Sequence, residues 1–442
     1  MSIKVGFVSL GCPKNTCDTE VMLGLLNEAG YEIVSEDIYA DVMIVNTCAF
    51  IKSAKEEAIE TILDIAYLKE HHDLKGIVVT GCLATRYAED IEKSLPEVDV
   101  ILSAGDEGKI CEAIEKAYRG ERCKYTAPTE NLAFGGDRVV TTPEYTAYLK
   151  IAEGCDNRCA YCSIPDIRGH FRSREMDDIM AEARTLFELG ARELCLVAQD
   201  TTRYGEDLYG KYSLDVLLER LATECEFKWI RLLYCYPDKI TDSLIEVMAK
   251  YDSVAKYIDM PIQHINDRVL GVMNRHGGRG VIKSAIERLR SKMPDITIRT
   301  TVITGFPTET AAEANELLEF VKETRFERLG AFTYSREENT PAYSFAPQVS
   351  EKSKTSRCDR IMEAQYRIHA ENNEKLIGKT LTVLVEGYDK VGETYFGRTE
   401  MDAPEIDGKI YFSAKRRLRD GEFIKVKVTE TLDYDLVGSQ VE

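Results

Sequence analysis

The sequence predicts an α/β protein of three parts: an N-terminal α/β domain with three cysteines, a partial (β/α)6 barrel, and a small C-terminal antiparallel β-barrel. Three observations predict this fold class. Apolar, β-rich runs alternate with amphipathic stretches up to residue 122, and a longer alternation of the same kind starts at residue 144. From residue 376 the runs become short and are broken by Gly and Asp. A length of 442 residues suits roughly two to four domains.

In the first domain, predicted over 1–122, each of three strand-like runs ends in a cysteine. The runs are "IKVGFVSLGC", "DVMIVNTC" and "KGIVVTGC", and they end at Cys12, Cys48 and Cys82. A helix-like stretch follows each run, and this alternation implies a parallel sheet with right-handed crossovers. All three strands then point the same way, so we expect the cysteines at the carboxyl edge of the sheet, where open α/β sheets bind ligands.

Residues 123–143 lack periodicity and collect Pro, Gly and Thr, which predicts a linker. Over 144–375, six strand-like runs alternate with helical stretches, beginning with "AYLKIAEG" and ending with "RLGAFTYS". Six β/α units fall short of the eight that close a full barrel, so we expect a partial one. The strands predicted over 376–442 form a separate small domain.

Bulk properties limit the class of function. The net charge is −19, which repels phosphate backbones overall and favours a basic protein partner. No apolar run approaches the length of a membrane span, and the N-terminus enters a strand without a leader pattern. We therefore expect a cytoplasmic protein with no membrane partner. Because cytosolic thiols stay reduced, the 13 cysteines indicate metal or redox chemistry rather than disulfides.

A tight cluster of three cysteines follows the first barrel strand, in the pattern C-x-x-x-C-x-x-C: Cys155, Cys159 and Cys162. Three thiolates can hold three corners of a four-iron cluster and leave the fourth iron open to a small molecule. A zinc knuckle or three buried cysteines is the structural alternative. Tyr161 is placed to shield such a cluster from water. Three arginines downstream are expected to meet a carboxylate or another anion: Arg168, Arg172 and Arg174.

The C-x-x-x-C-x-aromatic-C pattern after the first strand of a six-unit barrel resembles the signature of the radical S-adenosylmethionine (SAM) superfamily, whose barrel is TIM-like. The resemblance implies a [4Fe-4S] cluster whose open iron binds SAM, and one-electron cleavage of SAM to a radical that abstracts hydrogen. The whole chain resembles the methylthiotransferase family, which ends in a TRAM barrel. That resemblance implies a second [4Fe-4S] cluster on Cys12, Cys48 and Cys82, carrying the sulfur or methylthio group.

Polar residues at other strand ends are the expected SAM contacts: Gln199, Asp200, Gln263, Thr304 and Gly305. The last two lie in a segment that resembles the superfamily's fifth-strand region near the adenine. The remaining cysteines lack partners at metal spacing and are expected in the core. Of the close pair Cys12 and Cys17, Cys12 at the strand tip is the predicted ligand.

Three segments resemble the branch that modifies ribosomal protein S-twelve: "SLGCPKN", "NTCAFI" and "MDAPEIDGKIYFS". The resemblance implies insertion of a methylthio group at the β-carbon of an aspartate. It also implies a reducing partner, flavodoxin-like or ferredoxin-like, and a sulfur source. Residues 377–442 carry ten Lys and Arg against thirteen Asp and Glu, a net charge of −3, which suits a basic protein.

Two other functions stay open. One is methylthiolation of a tRNA adenosine near the anticodon, for which "KRRLR" at 415–419 is a local basic run that could touch RNA. The other is a non-catalytic iron–sulfur carrier or electron-transfer protein with two clusters.

Overall fold

The structure, a computed structural model, describes residues 2–35, 37–128 and 135–441. The first domain is a parallel sheet in the order β2-β1-β3-β4-β5-β6 with helices between its strands. Its elements are β1 Lys4–Ser9, α1 Pro13–Glu28, β2 Glu32–Ile33, β3 Val42–Thr47, α2 Lys52–His71, β4 Gly76–Gly81, α3 Cys82–Ser94, β5 Val100–Leu102, α4 Ile110–Tyr118 and β6 Cys123–Tyr125. Every residue of β3 and β4 is buried, as expected for central strands covered on both faces.

The second domain is an open barrel of six parallel strands in the order β14-β13-β12-β11-β10-β7. It contains β7 Thr146–Lys150, β8 Ala152–Glu153, α5 Ile164–Arg168, β9 Arg172–Ser173, α6 Met176–Glu188, β10 Glu193–Val197, α7 Glu206–Tyr209, α8 Leu214–Glu224, β11 Trp229–Leu232, α9 Asp242–Lys250, β12 Val254–Asp259, α10 Asp267–Val272, α11 Gly278–Lys292, β13 Thr297–Thr304, α12 Ala311–Thr324, β14 Arg328–Thr333 and α13 Glu351–Glu374. The six-stranded partial barrel is confirmed.

The C-terminal domain is a closed five-stranded barrel in the order β15-β16-β17-β19-β18. Its strands are β15 Thr380–Asp389, β16 Thr394–Thr399, β17 Ile410–Ser413, β18 Phe423–Leu432 and β19 Asp435–Val441. The expectation of a purely antiparallel barrel is wrong at one pairing, because β17 and β19 run parallel. The reason is geometric: strand directions cannot alternate all the way around a closed ring of five.

The predicted linker over 123–143 also differs from the structure. Its first three residues form β6, which pairs with β5 and extends the first sheet by one strand. Residues 129–134 of that prediction lie outside the described residues. After them, the backbone N–H of Val139 donates to the Glu20 carbonyl, so the connection is anchored on α1.

Helix α1 lies between the first sheet and the barrel. Pro13 occupies its first turn, where a missing N–H leaves no helical bond unmade. The helix buries polar side chains as well as apolar ones, including Asn15 and Asp18, each about 1% exposed. The Cys17 thiol donates to the Tyr148 carbonyl of β7 at 3.6 Å. The polar side of α1 is therefore the surface on which the barrel docks.

The segment 401–408, "MDAPEIDG", packs its buried part, which includes Asp402 and Ala403, against the barrel near the amino-terminal halves of the strands. Ala403 packs into the apolar cluster that includes Tyr257 of β12. Asp402 pairs with Arg328 at 2.5 Å, and Asp407 accepts from the Tyr257 hydroxyl at 2.7 Å. These buried contacts attach the C-terminal domain to the barrel, opposite the carboxyl ends of its strands. No helix in the described ranges is long and apolar enough to cross a bilayer.

Candidate functional site

The barrel cysteines lie on the loop between β8 and α5, beyond the carboxyl end of β7: Cys155, Cys159 and Cys162. The loop begins at Gly154, whose φ of +74° places its backbone against another segment. A Cβ there would stand 2.0 Å from the His170 carbonyl oxygen, so only glycine fits. The Cys155 N–H then donates to the Gly169 carbonyl at 3.1 Å and closes the loop at its base.

Each of the three barrel thiols faces an N–H donor. The Asn157 amide donates to the Cys155 sulfur at 3.4 Å, the Ile164 N–H to the Cys162 sulfur at 3.4 Å, and Arg275 to the Cys159 sulfur at 3.9 Å. Burial raises the pKa of the Cys155 thiol to about 11, and burial also raises the pKa of Cys162. Loss of these protons therefore needs a bound cation, and the N–H donors would then stabilise the sulfur charge.

The N-terminal cysteines converge at the carboxyl edge of the first sheet. Cys12, Cys48 and Cys82 follow the parallel strands β1, β3 and β4 directly. A Cβ on Gly11 would stand 2.8 Å from the Cys48 Cβ and 3.2 Å from its sulfur, which shows how closely two of the strand tips approach. Burial raises the pKa of Cys82 to about 12, and the charges of Cys48 and Cys12 raise it as well.

The donor sets fit iron–sulfur clusters better than single ions. In the described part of the chain, no three His, Cys, Asp or Glu side chains converge closely enough to share one metal ion. A four-iron cluster binds each thiolate through a different iron and so takes separated sulfurs. Both triads offer three buried or half-buried thiols. Each could hold three irons and leave a fourth open.

A buried charge network joins the two triads. Arg168, at the end of α5 and 2% exposed, donates to the Cys82 sulfur at 3.5 Å and to Asn15 Oδ1 at 2.5 Å. It also pairs with Asp18 at 2.6 Å and with Glu153 at 3.4 Å. Glu153 lies two residues before Cys155. One guanidinium therefore contacts a cysteine of the first domain and the strand that leads into the barrel cysteines.

The downstream arginines do not face outward. Arg168 is paired within the buried charge network. Arg174 pairs with Asp178 at 2.7 Å and Glu182 at 2.6 Å. The carboxylates expected to meet these two arginines are therefore carboxylates of the chain itself. Arg172 lies in β9 and has interactions of its own.

Removal of the Arg168 charge should destabilise the protein strongly. In Arg168→Met, Asp18 and Glu153 would keep buried negative charge with only Lys150 between them. We expect the free energy of unfolding to fall by about 3–5 kcal/mol, measured by urea denaturation. The matched control is Arg184→Met, whose exposed pair with Glu224 at 2.7 Å should contribute at most about 1 kcal/mol. Equal losses in the two variants would contradict a structural role for the network.

The expected SAM contacts fall into two groups. The Gln199 amide donates to Glu153 at 2.7 Å, but its oxygen has no partner in the described residues, and the same holds for the buried Gln263 oxygen. Gln263 also adopts a left-handed φ of +69° just after β12. These two amides lie at strand ends with free acceptors, and both remain predicted ligand contacts.

The other expected contacts have internal partners. Asp200 is fully buried and accepts from Asn157 at 2.8 Å and Lys239 at 3.1 Å, so it supports the residue that bonds Cys155. The Thr304 hydroxyl donates to the Lys354 carbonyl at 3.2 Å, and the Gly305 N–H donates to Glu309. The side chains of Asp200 and Thr304 are thus already engaged within the protein.

Several residues at the site escaped the sequence analysis. Asn15, Asn157 and Arg275 each hydrogen-bond a cysteine of one triad, and Lys14 lies buried beside Cys12. The sequence did offer a signal for two of them, since "GCPKN" places Lys14 and Asn15 immediately after the first cysteine. Nothing local marks Arg275, which reaches the loop from beyond α10.

The chain matches three family models in order. An uncharacterized protein family, UPF0004, covers residues 4–103, the radical SAM superfamily covers 149–321, and the TRAM domain covers 377–441. Among similar proteins, the "Ribosomal protein uS12 methylthiotransferase RimO" of Desulforamulus reducens is 49% identical and that of a Thermoanaerobacter species is 47% identical. The first match covers 98% of both chains, and the second covers 98% of this chain and 99% of its relative.

Solved structures with the same fold are more distant in sequence. The radical SAM methyltransferase TsrM from Kitasatospora setae, solved with cobalamin and a [4Fe-4S] cluster, superposes with a TM-score of 0.57 at 14% identity, covering 77% of this chain and 74% of its own. The cobalamin-dependent radical enzyme OxsB gives a TM-score of 0.51 at 12% identity, covering 83% of this chain and 58% of its own. At such identities the likeness concerns the fold alone.

Proposed function

The chain belongs to the family of ribosomal protein uS12 methylthiotransferases, and on that premise we propose that it attaches a methylthio group to the β-carbon of an aspartate in uS12, the S-twelve protein of the small ribosomal subunit. The observation that carries the proposal is the pair of three-cysteine sites at carboxyl ends of parallel strands, linked through Arg168. A ribosomal substrate would place the enzyme in the cytoplasm.

As a radical SAM methylthiotransferase, the chain is an enzyme that uses SAM and iron–sulfur chemistry. We assign one [4Fe-4S] cluster to Cys155, Cys159 and Cys162 and a second to Cys12, Cys48 and Cys82. When bound, the first cluster with SAM supplies hydrogen abstraction, and the second supplies the sulfur. The electron would come from a flavodoxin-like or ferredoxin-like donor, and the sulfur from a separate source.

The protein's own residues have three tasks in this scheme. The N–H donors around the barrel thiols stabilise their charge and orient the loop. An apolar cluster that includes Ala160, Phe306 and Tyr334, with Tyr161 packed against it, keeps water away from the cysteine loop. The amide oxygens of Gln199 and Gln263, which have no partner in the described part of the chain, are available to donors of SAM.

Electrostatics favours a basic protein as the substrate. The chain carries a net charge of −19, and its C-terminal domain is acidic. The basic run at 415–419 is partly neutralised within the domain, since Arg416 pairs with Glu422 at 2.6 Å. A partly neutralised basic run is a poor binding surface for tRNA, because the affinity of a protein for RNA depends on neutralising the phosphate charges.

A substrate comparison tests the proposal. Protein reconstituted with iron and sulfide would be incubated with SAM, a reductant, and either uS12 or tRNA. Mass spectrometry should show one methylthio group replacing one hydrogen on a uS12 aspartate and no modified adenosine. Methylthiolated adenosine on tRNA would instead establish the RNA-modifying alternative. Bound iron without any cleavage of SAM would support the non-catalytic carrier.

A further inference from the structure

Lys14 is a buried lysine with no carboxylate partner among the residues that the structure describes. It lies in the first turn of α1, two residues after Cys12, and is 7% exposed. In the described residues its ammonium donates to the Ala198 carbonyl at 3.5 Å, a long hydrogen bond, and stands 3.3 Å from the centre of the Tyr234 ring. No carboxylate of the described chain lies within 4.0 Å of it. A carbonyl and an aromatic face compensate a buried charge only partly.

The other buried lysines show what this environment lacks. The described part of the chain buries four lysines, and three of them pair with carboxylates. Lys150 pairs with Asp18 and with Glu153, Lys239 with Asp200 at 3.1 Å, and Lys354 with Glu351 at 2.8 Å. Lys14 is the exception. Burying an ammonium without a counter-ion is unfavourable, so this position calls for an anion that the chain does not supply.

The contacts of Lys14 link the two domains that carry the cysteine triads. Its own helix begins directly after Cys12. Ala198 and Tyr234, which it contacts, come directly after the barrel strands β10 and β11, at the edge that carries the cysteine loop. Tyr234 holds a left-handed φ of +60°, which is rare for an aromatic residue. Its N–H donates to Asp259 at 3.1 Å, so the unusual turn that sets the ring under the ammonium is fixed in place.

We propose that Lys14 binds the side-chain carboxylate of the aspartate that is modified. This inference rests on the proposed function and specifies how the substrate is held. The carboxylate carbon of aspartate is bonded directly to the β-carbon. Anchoring the carboxylate on Lys14 therefore holds the reacting β-carbon one bond away from the anchored group, where the first domain meets the barrel. The carboxylate supplies the counter-ion that the ammonium lacks, whereas an uncharged acceptor would not supply one.

The test compares two substrates and two variants. The substrates are uS12 with its native aspartate and the same protein with asparagine at that position. Wild-type enzyme should prefer the aspartate form by about 100-fold in kcat/KM, because asparagine offers no charge to the ammonium. Lys14→Met, which keeps an unbranched side chain one atom shorter and removes its charge, should lower kcat/KM for the aspartate form by about 100-fold and abolish the preference. Lys14→Arg, which keeps the positive charge, should retain part of the preference for the aspartate form.

Equilibrium measurements separate this role from a structural one. Lys14→Met should bind iron and SAM as wild type does while its affinity for uS12 falls, and the exposed control Lys211→Met should match wild type throughout. A Lys14→Met enzyme that still prefers aspartate by the wild-type factor would overturn the proposal. So would a loss of SAM affinity or of bound iron in the absence of uS12, because the anion beside Lys14 would then be the carboxylate of SAM or the cluster held by Cys12. If wild-type enzyme modified tRNA and not uS12, the proposed function would fail and this assignment with it.

Discussion

Replacing Cys12, Cys48 and Cys82 together by alanine should abolish methylthio transfer while SAM cleavage continues. The three cysteines lie after three different strands of the first sheet, whereas the barrel cysteines lie on one loop of another domain. The variant should bind about four irons instead of about eight. Transfer to uS12 should fall by at least about 1,000-fold, because no site for the sulfur group remains. Iron analysis, release of 5′-deoxyadenosine and mass spectrometry of uS12 measure the three quantities.

The control for this variant is Cys17→Ala. Cys17 lies five residues after Cys12, but its thiol points to the Tyr148 carbonyl and packs inside the barrel. Burial raises its pKa to about 12, in keeping with a protonated core thiol. Cys17→Ala should keep both iron content and transfer. If the triple variant kept its full iron content, the assignment of a second cluster to these cysteines would be wrong.

Cys159→Ala should abolish both SAM cleavage and methylthio transfer. Loss of the middle ligand leaves the barrel site with two thiols, too few to hold three irons, and leaves the Arg275 guanidinium facing no sulfur. We expect SAM cleavage to fall by at least about 1,000-fold, since no other group in the chain supplies that chemistry. The iron bound to the N-terminal site should remain at about four per chain. Iron analysis and 5′-deoxyadenosine release check both expectations.

A matched control exists in the same domain. Cys235 is fully buried just after β11, and its sulfur faces the Thr201 hydroxyl at 3.4 Å rather than the cysteine loop. Cys235→Ala should cost about 1 kcal/mol of stability through lost packing and leave SAM cleavage intact. SAM cleavage by Cys159→Ala at the wild-type rate would contradict the assignment of the barrel cluster.

Local sequence patterns were sufficient for the architecture. Alternating strand and helix periodicities predicted the parallel first sheet and the six-stranded partial barrel, because the period of buried positions is set within each element. They also placed Cys12, Cys48 and Cys82 at strand ends, since crossover connections make parallel strands end on one edge. The spacing of Cys155, Cys159 and Cys162 indicated, without any other part of the chain, that three thiols on one loop could hold a cluster.

The same patterns did not identify partners that are distant in the chain. Arg168 was expected to meet a carboxylate or another anion, but the pattern did not show that the partner is Asp18, which lies 150 residues earlier. The segment 401–408 resembled the substrate branch, yet its buried residues Asp402 and Ala403 pack against the barrel and attach the C-terminal domain. In both cases the segment itself gave no sign of which surface would cover it.

The sequence by itself determined the order of domains, the strand ends that carry cysteines, and the three thiols of the barrel loop, because these depend on spacing along one segment. Only the tertiary structure decided which charges are matched. Helix α1 packs its polar side against the barrel, which buries Asp18 beside Arg168 and leaves Lys14 on an aromatic ring without a carboxylate. Whether a buried charge has a counter-ion depends on segments far apart in the chain, and folding alone brings them within the few ångströms over which ion pairs form.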